Sequence, residues 1–267
     1  MFIFRIAIAI VFAAVASRLA PPTSKPSSPL PPPTLAPAAP GAAAPAAPVK
    51  LFYCTQSAGF RHDVLPETRE IVKKLGDDLD WLDVTISDDV KDLTPDVLRS
   101  IDVLMLYTTG TLPMSDEQKA ALKAFVERGG GIVGIHSASD TFHDWDWFVE
   151  TIGGEFDGHP WHEKVAIVVL DKDHPAVRHL APRFEITDEI YQFKRLNDRR
   201  NTLMALDTTS VTHDSDPQRA YPLAWTLNFG KGRVFYTALG HRSEVWRDKR
   251  FIDHLLGGVK WAAGRGG

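Results

Sequence analysis

The sequence predicts an α/β protein, a three-layer sandwich with a mostly parallel sheet and an antiparallel addition. Three observations lead to this fold class. Short apolar segments alternate with segments of helical spacing in the first half of the chain. The apolar segments lack strict alternation, which is typical of strands buried on both faces. In the second half, two strand-like segments flank a Gly-Lys-Gly turn, which is typical of a hairpin.

Four strands are predicted in the first half, with helical or polar segments between them. A helix is predicted over residues 65–75 and is expected to end at Gly76. Ser115 and Gln118 form a capping box in front of a second helix, which is expected to stop at Gly129. This alternation predicts parallel strands with right-handed crossovers, as in a flavodoxin-like core. The predicted strands cover residues 49–55, 81–86, 103–109 and 131–135.

The second half is less regular and predicts the antiparallel addition. Residues 221–229 and 233–239 lie on either side of the Gly-Lys-Gly turn and are expected to pair as a hairpin. A closing helix is predicted over residues 249–263, ended by Gly264. Two further strands are predicted at residues 165–170 and 184–193.

The amino-terminal segment predicts export. Residues 1–16 combine a positive charge with an apolar stretch and a small-residue cleavage site, as in a secretory signal peptide. An uncleaved membrane anchor is the alternative. Residues 17–48 are rich in Pro, Ala and Ser, which predicts a disordered linker, and residues 49–267 form the predicted folded domain. We therefore expect a periplasmic or secreted protein whose mature form has no stable membrane span.

The charge and the cysteine content argue against a nucleic-acid-binding protein and against a fold held by disulfides. The formal net charge is -4 and the chain has no basic run, so a nucleic-acid partner is not expected. The single cysteine, Cys54, lies in an apolar strand and is expected to be a small core residue. Because one cysteine cannot form an internal disulfide, the fold is expected to depend on its core alone.

Several histidines follow predicted strands or lie beside Gly or Pro turns. In an open parallel sheet, ligands bind in the crevice outside the carboxyl ends of the strands. Side chains from distant parts of the sequence are therefore expected to meet there in one site. The histidines in this position are His62, His136, His159, His162 and His241.

The sharpest local motif is Gly134-Ile135-His136-Ser137-Ala138, directly after the fourth strand. Small residues around a central polar residue are what a nucleophile elbow needs, because other backbone approaches closely at that turn. The central residue here is His136, which is a good base or metal ligand but a poor acyl nucleophile. Ser137 is one position away from the centre, so a serine hydrolase is disfavoured.

The motifs together resemble the ThuA-like (trehalose utilisation) family over most of the predicted domain. This resemblance implies a class I glutamine amidotransferase-like fold without the glutaminase cysteine. It also implies an association with sugar catabolism, including disaccharides oxidised to 3-keto forms. The motifs that carry it are Gly59-Phe60-Arg61-His62, residues 134–138, Gly158-His159-Pro160, Asp188-Glu189-Ile190-Tyr191 and residues 232–241.

These observations assign roles to individual residues. His136, Glu189 and His62 are expected to be catalytic, as acids or bases. The expected ligands of a divalent metal such as zinc are His62, His136 and His241, because neutral imidazole suits such ions. No nucleotide cofactor is expected. Substrate-binding roles are expected for Arg61, His159, Trp161, Tyr191 and His241.

Two function classes stay open at this point. The first is a hydrolase, lyase or isomerase acting on a disaccharide or its 3-keto derivative, with histidines and Glu189 moving protons, with or without a metal. The second is a non-catalytic carbohydrate-binding module. Histidine density favours the enzyme, and the missing cysteine argues against a glutaminase. A small carbohydrate is the expected partner in both cases, while the oligomeric state is not predicted.

Overall fold

The computed structural model describes residues 46–265 except 212–215 and 217–219. The predicted signal peptide, at residues 1–16, and almost all of the predicted linker, at residues 17–48, lie outside the described residues. Export and linker disorder therefore stay predictions. Among the described residues, no helix combines the length and apolarity needed to cross a membrane.

The described residues form one mixed sheet of nine strands in the order β2-β1-β3-β4-β9-β8-β7-β5-β6. Neighbours from β2 to β9 are parallel, and neighbours from β9 to β6 are antiparallel. The predicted fold class is thus confirmed, including the antiparallel addition. The strands are β1 (Val49–Cys54), β2 (Leu82–Ser87), β3 (Val103–Leu106), β4 (Gly131–Ile135), β5 (Glu155–Val169), β6 (Arg183–Lys194), β7 (Asn201–Leu206), β8 (Pro222–Phe229) and β9 (Gly232–Thr237).

The helices cover both faces of the sheet, as expected of crossover connections. α1 lies next to β2 and α5, while α6 packs on β4 and β9, and α2 packs against α3. The capping box predicted at Ser115 is present and begins α3. The helices are α1 (Leu65–Asp78), α2 (Pro95–Ser100), α3 (Asp116–Glu127), α4 (Asp146–Ile152), α5 (Ser243–Arg247) and α6 (Lys249–Ala262).

Some predicted boundaries are wrong, and the third strand, predicted over residues 103–109, ends at Leu106. α1 does not end at Gly76 but continues to Asp78. A Cβ at Gly76 would lie 2.8 Å from Val84 Cγ2, so the glycine permits close contact between helix and sheet and does not act as a stop. The strand predicted over residues 165–170 is the end of the much longer β5, which begins at Glu155.

Strand β5 is both long and irregular. Its pairing with β6 shifts register between Phe156 and Gly158, and again between Gly158 and Trp161. Gly158 has φ 125°, a conformation that favours glycine. Such bulges bend a strand and redirect its side chains. The Gly and Pro that indicated a turn in the sequence therefore lie inside a bulged strand.

Candidate functional site

The site begins where β4 ends. His136 follows Ile135 with φ 46°, a left-handed backbone conformation that is strained for a residue with a side chain. Gly134 leaves room for this turn, because a Cβ there would lie 2.6 Å from Ile152 Cδ1 and 2.8 Å from Tyr236 Cδ2. Close packing thus requires the glycine at position 134, as in a nucleophile elbow.

Hydrogen bonds fix the orientation of the His136 ring. Its Nδ1 lies 2.6 Å from the carbonyl oxygen of Ala238, which can only accept, so Nδ1 carries a proton and donates. The Tyr236 hydroxyl donates to the His136 carbonyl oxygen at 2.5 Å. Nε2 then points at Glu189 Oε2, 3.0 Å away. Because carboxylate oxygens also only accept, either a second proton or a cation must lie between these two atoms.

Three imidazole rings surround a common point. The ring centroids of His62 and His136 are 4.9 Å apart, and the ring centroid of His241 lies 5.2 Å from each of them. All three pairs of rings pack edge-on. His62 is 4% exposed and His136 is fully buried. Burial lowers the pKa of His62 to about 3, with His136 and His241 adding to the effect. His62 is therefore a neutral imidazole near neutral pH.

Glu189, on β6, is the carboxylate at the centre of the cluster and is 5% exposed. Its Oε2 lies 3.0 Å from His136 Nε2 and 3.1 Å from His241 Nδ1, and its Oε1 lies 2.5 Å from His162 Nε2. Burial acts to raise the pKa of Glu189, but the bonds to His136 and His241 hold it well below its ordinary value. The hydrogen bond between His241 and Glu189 in turn raises the pKa of His241.

Asp188, the residue before Glu189, holds the loop that carries His241. Asp188 is 1% exposed, and its carboxylate accepts the backbone N–H groups of Gly240, at 2.7 Å, and of Arg242, at 3.2 Å. Tyr107 Oη and Trp246 Nε1 donate to the Gly240 carbonyl at 3.0 and 2.8 Å. Asp188 is thus a positioning residue, and no local sequence pattern separates its role from that of Glu189.

A cleft of ≈ 350 Å³ opens above this cluster. His136 does not line it but lies beneath, in contact with the Tyr191 ring at a centroid distance of 4.1 Å. Phe60 stands at the cleft with 67% of its surface exposed. The residues lining the cleft are Phe60, His62, Asp140, Phe156, His159, His162, Glu189, Tyr191 and His241.

Five of the eight predicted site residues line this cleft, and besides His136 two others do not. Arg61 is exposed and does not line it. Trp161 is 3% exposed and packs edge-on against Tyr221, at a centroid distance of 5.3 Å, on the buried side of β5. Phe60 and Asp140 line the cleft although the sequence did not predict them as site residues. An exposed aromatic beside His62 in a loop was the available signal for Phe60.

The cluster contains a group of side chains that could hold a metal ion. One ligand atom each from His62, His136, Glu189 and His241 lies within 4.8 Å of all the others. His136 Nε2 and His241 Nδ1 are 3.3 Å apart. A tetrahedral ion with bonds of about 2.0–2.1 Å places its ligand atoms about 3.3 Å apart. The buried Nδ1 of His62 has no hydrogen-bond partner in the described part of the chain.

A family model described as Trehalose utilisation (ThuA) matches residues 50–262. The chain belongs to this family. A ThuA-like protein of Bacteroides uniformis is 25% identical, with TM-score 0.68, over 84% of this chain and 94% of that one. One of Parabacteroides merdae is 20% identical, with TM-score 0.67, over 81% and 90%.

More distant structures share the fold alone. A cytoplasmic protein of Salmonella typhimurium is 11% identical, with TM-score 0.54, over 80% of this chain and 98% of that one. No curated protein matches the chain. The single cysteine, Cys54, is buried in β1, where burial raises its pKa to about 11. It does not line the cleft, so the site offers no thiol nucleophile.

Proposed function

We propose that the chain is an enzyme of carbohydrate catabolism that acts on a disaccharide, or its 3-keto derivative, in the cleft above Glu189. The observation that carries this proposal is the convergence of His62, His136 and His241 on the buried carboxylate of Glu189. The family description, trehalose utilisation, supports a sugar substrate.

The proposed centre uses a divalent metal. His62, His136, Glu189 and His241 would hold it, and a donor set of imidazoles and a carboxylate suits zinc and related ions. The hydrogen bond from His136 Nδ1 to the Ala238 carbonyl supports this, because metal-bound histidines ordinarily donate their other N–H in this way. Such an ion supplies Lewis-acid polarisation of a sugar oxygen.

The remaining cleft residues face the substrate. His159 and His162 have 47% and 46% of their side chains exposed, so they can exchange protons with bound sugar and solvent. Phe60 and Phe156 offer aromatic faces for the apolar C–H surface of a sugar ring. The Asp140 carboxylate, held by His143 at 2.7 Å, is placed to accept a hydrogen bond from a sugar hydroxyl.

Burial favours an enzyme over a binding module. A module recognises hydroxyl groups with side chains that reach its ligand. His136 is fully buried beneath the cleft and cannot touch a bound sugar directly. A strained, buried imidazole aimed at a carboxylate serves a reaction or a metal better than it serves recognition.

The experiment is a screen of the purified protein against unmodified and 3-keto disaccharides, repeated with His136→Asn. Asparagine can keep the donor to Ala238 but removes Nε2, so turnover should fall by about 10²–10⁴-fold. His254→Asn is the matched control, because His254 is also buried and its Nδ1 also donates to an alanine carbonyl, that of Ala176, at 2.8 Å. A fully active His136→Asn protein would contradict the proposal. Sugar binding without turnover, unchanged in His136→Asn, would favour the module.

A further inference from the structure

The two oxygens of Glu189 face two different pairs of histidines. Oε2 faces His136 and His241, at 3.0 and 3.1 Å. Oε1 faces His162 at 2.5 Å and His159 at 3.4 Å. One carboxylate therefore lies between a buried group of ligand atoms and a separate, solvent-facing group.

The geometry points to a dinuclear centre: we propose that Glu189 bridges two divalent metal ions, the second held by His159, His162 and Glu189 Oε1. This inference rests on the metal centre of the proposed function and adds a second ion to it. His159 Nδ1 and His162 Nε2 are 3.0 Å apart, and each lies within 4.8 Å of a carboxylate oxygen of Glu189. Paired ions in such enzymes are about 3.5–4 Å apart, a separation that one bridging carboxylate spans.

The irregularity of β5 is what brings the second pair of histidines together. Side chains alternate between the two faces of a regular strand, so residues three positions apart point in opposite directions. The register shift between Gly158 and Trp161 breaks this alternation. As a result, His159 and His162 both face Glu189, while Trp161 between them packs against the core. The bulge thus builds a ligand pair that a regular strand could not present.

Exposure distinguishes the two metal positions. His62 and His136 are 4% and 0% exposed, whereas His159 and His162 have 47% and 46% of their side chains exposed. The outer ion has three protein ligands, which leaves positions open to water or substrate, as catalytic sites require. Two adjacent ions would bind two neighbouring oxygens of a sugar. The substrate class is therefore a sugar with a vicinal carbonyl and hydroxyl, or a vicinal diol.

The test is metal stoichiometry of the full-length protein, measured by Mn²⁺ titration with elemental analysis and electron paramagnetic resonance. Wild type should bind two Mn²⁺ per chain with an exchange-coupled spectrum, and the double variant His159→Asn/His162→Asn should bind one, without coupling. Glu189→Gln should weaken the binding of both Mn²⁺ ions. His179→Gln is the control, because His179 is exposed and its Nε2 contacts the Arg250 carbonyl, at 2.9 Å.

The alternative results separate this inference from the proposed function. One Mn²⁺ in wild type, unchanged in the double variant, would overturn the second site and leave the first. Two Mn²⁺ in the double variant would overturn its assigned ligands, and two uncoupled ions in wild type would overturn the bridge. No Mn²⁺ in wild type would overturn the metal centre of the proposed function as well.

Discussion

Gly134→Ala is expected to destabilise the domain through two contacts. The added Cβ would lie 2.6 Å from Ile152 Cδ1 and 2.8 Å from Tyr236 Cδ2, about 1 Å inside ordinary carbon contact. Overpacking of this kind costs about 1–3 kcal/mol. For a domain of this size, 2 kcal/mol corresponds to a fall in Tm of about 4–8 °C. Because the Tyr236 hydroxyl holds the His136 carbonyl, displacement of the ring should also lower activity.

A double-mutant cycle tests the assigned cause. Ile152→Val alone removes a buried methyl group and should cost about 1 kcal/mol. In the Gly134→Ala background the same change removes the atom that the new Cβ meets, so it should cost nothing or restore stability. Thermal unfolding of the four proteins, followed by circular dichroism, measures the coupling. Losses that simply add in the double variant would refute the steric explanation.

Three further outcomes are expected. Burial lowers the pKa of His254 from 6.5 to about 4, so the unfolded chain binds more protons than the folded chain between these two pH values. The free energy of unfolding should therefore fall by about 3 kcal/mol as the pH falls from about 6.5 to about 4. Urea unfolding at several pH values should show a flatter dependence on pH for His254→Asn than for wild type. Tyr236→Phe removes the donor to the His136 carbonyl and should lower the free energy of unfolding by about 1–2 kcal/mol in the same assay, whereas an unchanged value would show that bond to be unimportant. Amino-terminal sequencing of the exported protein should begin near Ser17, and an intact Met1 in a soluble cytoplasmic pool would contradict export.

The sequence predicted the parallel half of the fold well because β1, β3 and β4 are short apolar segments that are almost entirely buried. β1 and β4 begin at the predicted residues, and the strands predicted from residues 49, 103 and 131 are adjacent and parallel. The errors arise where tertiary contact replaces local preference. Gly76 lies inside α1 because the sheet approaches it closely, and the bulged start of β5 looks like a turn.

The sequence also predicted which histidines come together, since the carboxyl ends of parallel strands share one edge. It could not predict how deep each one lies. His136 was expected to lie in the crevice outside the strand ends, but it is fully buried beneath the cleft, where its ring contacts the Ala238 carbonyl and Glu189. The role of Asp188 and the separate directions of the two Glu189 oxygens depend on distances between strands that no local pattern contains.

The central claim is that the imidazoles of His62, His136 and His241, together with Glu189, bind a divalent ion. Anomalous diffraction from crystals grown with Zn²⁺, with data on both sides of the zinc absorption edge, tests it directly. We predict a peak about 2.0–2.2 Å from His136 Nε2, His241 Nδ1 and Glu189 Oε2, with His62 completing the site. A cleft with no anomalous peak, in crystals that show zinc elsewhere on the protein, would contradict the claim.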